Sequence, residues 1–486
     1  MVNCNIAVIG NGILALSTAF SLLSQDRNLK VYIFGSNVHT VSASMAAGAM
    51  LNHIAEVTDD SLKNIYGTQE LELSISASKK WPEWLERINL SLSKDEALQQ
   101  RYGTFILLNA KSGSLDTDNY LAIMKAADKY NEVYEEVNPI DIPGIDPIKS
   151  SRPLRSMYLP REGYIDPNLV LGGLRQALLE FPNVKFIDNN VNKVETCEAS
   201  INFIVLDDGT KVYADKVLLA AGSYSQDIID QIPEIASRIP RLLSGVGMAA
   251  VISQEGHNKI KHVIRTPNRS GACGLHAVPR GDSSLYIGAT NNIAFSPSTK
   301  HKLGLMQFLL KCATDQVNQD LYNSEVLGWS VGNRPVALDT FPLMGKTSIE
   351  NLYILTGTYR DGFQQSPFLA DYMAKIMLDK EVELKTPFEP ERKLLPTMLN
   401  KEVAINNAVK HYMSLFYEHE MKLASLFHER NLEQLLYNKF ERIYEILDTD
   451  FPLTPDILFL FELSDENDKN MMYFKNYFKT QASNFK

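Results

Sequence analysis

Strand, glycine-rich turn, helix and strand follow one another within the first forty residues, and that order leaves the chain few folds. Ile6-Ala7-Val8-Ile9 is a buried-strand run, followed by Gly10-Asn11-Gly12-Ile13-Leu14-Ala15. Ala19, Phe20, Leu22 and Leu23 carry a helical pattern, and Val31-Tyr32-Ile33-Phe34 is a second strand. This is the setting that a dinucleotide-binding fingerprint requires. Gly10 permits the tight turn, Gly12 lets backbone approach a pyrophosphate without a Cβ in the way, and Ala15 lets the helix lie close on the sheet. The helix start, at Ile13 and Leu14, offers N–H groups and a positive dipole end to phosphate. Without its flanks a GxGxxA would be a tight turn in any α/β protein; both flanking strands are in place here. One element departs from the pattern. The second strand should end in Asp or Glu for the ribose, and Phe34-Gly35-Ser36 stands there instead, so Ser36 or Asn37 is the expected, weaker ribose ligand.

Charge and cysteine content narrow the function classes. Asp and Glu outnumber Lys and Arg, 58 to 48, which argues against a nucleic-acid partner, since that needs a basic footprint. Cys4, Cys197, Cys273 and Cys312 are scattered without a CxxC pair, so neither a disulfide framework nor a zinc site is expected, and a reducing compartment fits. No run reaches the roughly 20 apolar residues of a membrane span, and the start of the chain lacks a signal-peptide pattern. The expectation is a soluble, cytoplasmic protein. At 486 residues the length suits about three domains of roughly 150 residues.

Several later segments suit the same ligand class. Ser42-Ala43-Ser44-Met45-Ala46-Ala47-Gly48-Ala49-Met50 is a run of mostly small residues past which a flat ligand can lie. Asp208-Gly209 turns a hairpin into a buried strand, Lys216–Leu219, that ends in Ala220-Ala221-Gly222. Ligands of open α/β sheets sit at such carboxyl ends. Gly332-Asn333-Arg334-Pro335 and Asp339 precede a strand at 351–356, the loop Gly357-Thr358-Tyr359-Arg360-Asp361-Gly362-Phe363-Gln364, and a helix through Ala370, Ala374 and Ile376. Together with Gly163-Tyr164-Ile165-Asp166-Pro167, Pro279-Arg280 and Ile287-Gly288-Ala289-Thr290, this set resembles the D-amino-acid oxidase superfamily of flavoproteins. The glycine oxidase and sarcosine oxidase branch is the most similar in pattern, across roughly residues 5 to 385.

The resemblance implies an α/β fold (α+β overall): a Rossmann-like FAD-binding domain with a mixed-sheet substrate domain. It implies elongated FAD on Gly10, Gly12, Ile13, Leu14 and Ala15, with Ser36, Ser44, Ala46, Ala47, Gly48 and Met50 along it. Val191 falls where the family uses a backbone group on the adenine, and Ala221 and Gly222 end the central strand. Gly357, Arg360, Asp361, Gly362, Phe363 and Gln364 pass the flavin ring, and the helix after Gly362 points its positive end at the ring's pyrimidine side. Arg334 matches the substrate-carboxylate position, Arg360 a second active-site arginine, and His276 a stretch where relatives place a substrate-facing tyrosine. The plainer alternatives are that the arginines pair with Asp339 or Asp361 and that His276 is a satisfied core residue. Attachment of FAD is expected to be non-covalent: Met45 stands near the histidine position used for linkage, no cysteine follows Gly328, and Cys273 reads as an ordinary buried cysteine.

The expected domains are FAD-binding at 1–80, 157–225 and 325–390, substrate at 81–156 and 226–324, and a C-terminal helical extension at 391–486. Amphipathic helices are expected at 402–428 and 432–447, with a short apolar segment at 456–463. His411, His419 and His428 are too far apart for a metal site, and no metal is expected. The extension is expected to cover the active-site mouth, bind a partner, or form a homo-oligomer contact. The implied activity is hydride transfer from a C–H beside an amine to flavin in a small amino acid or amine-bearing carboxylate, giving an imine and then an oxo acid, with oxygen as acceptor. A dehydrogenase passing electrons to a quinone or carrier, a tailoring oxidase for a larger or carrier-bound amino acid, and a non-enzymatic FAD-binding partner protein are the competing classes.

Overall fold

A computed structural model describes residues 2–485 apart from 38–40, 112, 256–258, 271–273, 383, 425–426, 463 and 466; Cys273 therefore lies outside the described residues. The β-branched run Val2–Ile9 sits at the centre of the first sheet, paired in parallel with Val31–Phe34 on one side and Lys211–Leu219 on the other. Val184–Ile187 and Leu352–Thr356 extend it in parallel on the two flanks. Antiparallel Leu343–Lys346 closes one edge, and Val191–Cys197 and Ser200–Leu206 fold back beside Lys211–Leu219. The register aligns Ile9 with Phe34 and Leu219, and Phe34 with Ile187, so these carboxyl ends share one edge. The helix Ile13–Gln25 is buried continuously from Ile13 through Leu23, because the sheet covers one side and the helices Ile65–Asn89, Pro167–Leu179 and Ser366–Met377 cover the other. Trp84 meets Phe20 edge-on in this layer, with 5.4 Å between ring centroids.

The second sheet has ten strands among the described residues and is mostly antiparallel. Its longest ladder pairs Leu242–Ser253 with Val326–Ala337, and a second pairs Arg101–Asn109 with Pro153–Tyr164. Pairing departs from the expected division of the chain at three places: Met50–Leu51, the end of Pro153–Tyr164, and Val326–Ala337 all join this second sheet. The chain thus crosses between sheets immediately before and after the residues that matter most for a ligand, which places the cavity between them.

Among the described residues, four helices complete the chain: Lys401–Glu418, Glu429–Leu447, Pro455–Leu460 and Lys469–Asn484. The helix expected at 402–428 stops at Glu418, and the chain turns through Glu420 at φ +57°. Lys469–Asn484 was not expected. Its Met471, Phe474, Tyr477 and Phe478 join Phe440, Tyr444 and Leu447 in one apolar cluster with Leu243 and Val336 of the second sheet and Leu338 just after it. The extension is therefore docked on the same strands that carry Arg334.

Candidate active site

A cavity of about 830 Å³ runs from the Gly10 turn, along the carboxyl edge of the first sheet, to the second sheet. That is near the upper end of the ~300–1,000 Å³ usual for small-molecule and cofactor sites. At the turn, Gly10 has φ +117°, and a Cβ there would collide with the Ala220 carbonyl. Gly12 caps the helix without a side chain, and Ser44 Oγ accepts from the Ile13 N–H at 3.0 Å. Beyond Phe34 the polar groups come from elsewhere. Asn11 Nδ2 donates to the Ser36 carbonyl at 2.9 Å, and Asn190 Oδ1 accepts from Ser36 N at 3.1 Å. Asp207 and Asp227 also line this end, so acidic side chains are present although none ends the second strand.

The small-residue segment is pinned by the second sheet. Tyr286 Oη donates to the Ala46 carbonyl at 2.9 Å, and Arg280 Nη2 donates to the Ala47 carbonyl at 2.6 Å. This gives the Pro279-Arg280 motif its physical reason. On the facing wall, Trp81 stacks on Phe363 with centroids 6.1 Å apart and donates Nε1–H to the Gln364 carbonyl at 2.9 Å. Gln364 Nε2 donates to the Ser74 carbonyl at 2.9 Å, while its buried Oε1 has no hydrogen-bond partner among the described residues.

Charge concentrates at the end nearest the second sheet. Arg334 Nη1 donates to the Thr290 carbonyl and to Asn291 Oδ1, each at 3.2 Å, and its guanidinium lies against Gly247, where a Cβ would strike it. It has no carboxylate partner among the described residues. Asp339, one of the acids offered as its pair, instead holds Arg392 through Nε at 3.0 Å and Nη2 at 2.9 Å. Glu56 pairs with the fully buried Arg265, and Asn268 Nδ2 donates to Glu56 Oε2 at 3.1 Å. Burial alone would raise the Glu56 carboxyl; the charges of Arg265 and Arg360 and the hydrogen bonds outweigh it and hold it at about 2. Burial, reinforced by Glu56, pushes Asp361 the other way, up to about 7, against the pull of Arg360. Burial next to Arg265 brings His276 down to about 4, and the ring is neutral at pH 7. Its Nδ1 lies 3.0 Å from the Gly274 carbonyl and carries the proton, which leaves Nε2 as the acceptor.

The cavity brings together Gly10, Gly12, Ile13, Leu14, Ser36, Ser44, Ala46, Ala47, Gly48, Met50, Val191, Ala221, Gly222, His276, Arg334, Arg360, Asp361, Gly362, Phe363 and Gln364. Ala15 and Gly357 do not line it. Ala15 is fully buried in the helix layer, and Gly357, at φ +72°, turns the chain beside Leu343. Tyr359, within the loop expected beside the ring, lines it too, as do Glu56, Arg265, Tyr286, Asp207 and Asp227, which were not singled out from sequence. Asp207 stands beside the Asp208-Gly209 hairpin turn, which accounts for its sequence pattern by itself; the Glu56–Arg265 pair joins residues with no local signal.

A model of FAD-dependent oxidoreductases, the D-amino-acid oxidase (DAO) family, matches residues 5–376. The chain belongs to that family. Among curated relatives, the bifunctional protein ThiO/ThiG of Synechocystis sp. is 21% identical over 81% of this chain and 54% of its own. A D-amino acid dehydrogenase of Neisseria gonorrhoeae is 22% identical over 53% of this chain and 60% of its own. The chain thus spans little more than half the length of these relatives. Among solved structures, glycine oxidase from Geobacillus kaustophilus superimposes with a TM-score of 0.69 at 18% identity, covering 81% of this chain and 99% of that one. The fold is shared with it, and this chain carries its C-terminal helices beyond the segment that the family matches. No helix among the described residues is long and apolar enough to cross a membrane.

Proposed function

We propose that this flavoprotein oxidises the C–N bond of a small amino acid or amine-bearing carboxylate, using non-covalently bound FAD and oxygen as the acceptor. The carrying observation is Arg334: a guanidinium in the cavity wall, held by two neutral acceptors and without a carboxylate of its own among the described residues. A planar guanidinium grips a carboxylate with two parallel hydrogen bonds. Relatives named as an amino acid dehydrogenase and a glycine oxidase support the substrate class.

The cavity suits FAD on its own evidence. Gly10 and Gly12 open the turn, the helix start, with no side chain at its Gly12 cap and only the Ile13 N–H taken up by Ser44, favours phosphate, and the orphaned Gln364 Oε1 awaits a donor. Gly10, Gly12, Ile13 and Leu14 would hold the pyrophosphate; Ser36, Asn190, Val191 and Asp207 the adenosine; Ala46 to Gly48 and Arg360 to Gln364 the ring system. When bound, FAD supplies the two-electron acceptor for a hydride leaving the carbon beside the amine. The chain's own task is orientation: Arg334 fixes the carboxylate, and Arg360 adds positive charge. Neutral His276 offers Nε2 as an acceptor to the substrate's amine end. Loss of the hydride and a proton leaves a C=N bond, which water converts to the oxo acid and ammonia.

Substrate-dependent flavin reduction by Arg334→Ala and Arg334→Lys tests this. Losing a charge-assisted contact of about 1.5–3 kcal/mol weakens binding roughly 10- to 150-fold. The loss should be large with an amino acid and much smaller with its decarboxylated amine, lysine should rescue only in part, and flavin content should stay at the wild-type level. If Arg334→Ala sheds flavin, or reduces as readily as wild type, the carboxylate role is wrong.

A further inference from the structure

Asp456 belongs to the helix Pro455–Leu460, well beyond the segment the family model matches, yet its carboxylate reaches the cavity wall. Tyr359, which lines the cavity, donates its hydroxyl to Asp456 Oδ2 at 2.6 Å. Asn291 Nδ2 donates to the same Tyr359 oxygen at 2.6 Å, and Arg334 Nη1 donates to Asn291 Oδ1 at 3.2 Å. Every donor in this chain points the same way, from a guanidinium that can only donate to a carboxylate that can only accept.

That polarity fixes the amide. With the Tyr359 proton committed to Asp456, the phenol oxygen receives the Asn291 nitrogen, and the Asn291 oxygen must face Arg334. Removing Asp456 frees the hydroxyl to donate to the Asn291 oxygen instead. The amide then turns its NH₂ toward Arg334, donor against donor. The anchor at the far end is firm, since Ile457 and Leu458 beside Asp456 are fully buried in the cluster against the second sheet. At the near end a Cβ on Gly245 would stand 3.1 Å from both Asn291 Oδ1 and Tyr359 Cε2, so the two side chains fit closely there.

We propose that Asp456 is a positioning residue for the substrate carboxylate: through Tyr359 and Asn291, the C-terminal extension sets the orientation of Arg334. This rests on the carboxylate role of Arg334. The test uses the full-length holoprotein and acetate as an unreactive carboxylate probe, with its Kd read from the flavin absorbance change. Asp456→Ala and Tyr359→Phe should each weaken acetate roughly 3- to 10-fold, the range of one hydrogen bond. The double variant should be no weaker than the singles, because both break one chain. Asp456→Asn, which keeps an acceptor oxygen and the shape of the side chain, should stay within about twofold of wild type. Flavin content should be unchanged throughout. Wild-type acetate affinity in Asp456→Ala, or losses that add in the double variant, would overturn the proposal. If Asp456→Ala fails to fold, Tyr359→Phe alone and combined with Asp456→Asn decides: a loss in the first that the second does not deepen supports the relay, and no loss overturns it. Arg334→Ala separates the two ideas. If it loses acetate while Asp456→Ala does not, only the relay is wrong; if it binds acetate like wild type, the carboxylate reading falls and the relay with it.

Discussion

His276 shows how far a single side chain's setting departs from its sequence. A histidine three residues before Pro279 has no local feature that marks it as neutral; burial next to Arg265 does that. Its folded value, about 4, lies below the ordinary 6.5, so the unfolded chain binds the proton more tightly. The stability held by the neutral ring is whole above pH 6.5 and is lost as pH falls toward 4. Over that interval the loss is about 3 kcal/mol. Denaturant unfolding at pH 7 and at pH 4.5 should therefore show a smaller acid loss in His276→Gln than in wild type; equal losses would show that the ring does not titrate this way. Arg334 was legible as a candidate because of the Arg-Pro pair and the residues around it. Its freedom from Asp339 was not, because the competing partner, Arg392, lies 53 positions on. Residue type and spacing thus indicated which side chains matter, whereas charge partners required the fold.

Elements whose contacts are local were the readable ones. The strand, turn, helix and strand of the first forty residues form because each is specified within its own span: β-branched runs, Gly10 at φ +117°, and a helix that starts at Gly12. The two glycines should separate in experiment. Gly10→Ala forces a side chain into the Ala220 carbonyl at a strained φ and should cost more than about 2 kcal/mol of stability. A Cβ at Gly12 meets only the Ser44 side chain, with Oγ at 3.0 Å; Gly12→Val should keep most of its thermal midpoint yet lose flavin. A Gly12→Val protein with full flavin content would make that turn structural only. The second sheet was less legible, since Val326–Ala337 and Leu242–Ser253 pair across 74 to 95 positions, with other strands of the same sheet between them. The missed helix Lys469–Asn484 did carry its signal, Met471, Phe474 and Phe478 at helical spacing. The overrun past Glu418 came from Leu423 and Phe427, which continue the apolar period although the chain has already turned at Glu420.

Among the described residues, the helix layer on the first sheet, the second sheet and the C-terminal helices docked on it each hold an apolar cluster of their own. Removal of residues 395–486 would uncover Leu243, Ile293, Val336 and Leu338 together, and a contiguous apolar face of that kind drives association. The truncated protein should aggregate or change its assembly state, measured by size-exclusion chromatography; a monodisperse truncation with unaltered assembly and substrate affinity would show that the extension is dispensable. Acid precipitation of the intact protein should leave all FAD in the supernatant, and flavin retained in the pellet would reject non-covalent binding. The account rests most heavily on the joint placement of a flavin cavity and Arg334, and one measurement addresses both: the absorbance spectrum of purified protein titrated anaerobically with a panel of amino acids and the matching amines. The protein should be yellow, with a flavin band that bleaches with at least one amino acid, bleaches far less with its decarboxylated amine, and recovers when oxygen is admitted. Recovery only with an added quinone would change the acceptor alone. A flavin band that no amino acid bleaches, or that amines bleach as readily, would contradict the assignment.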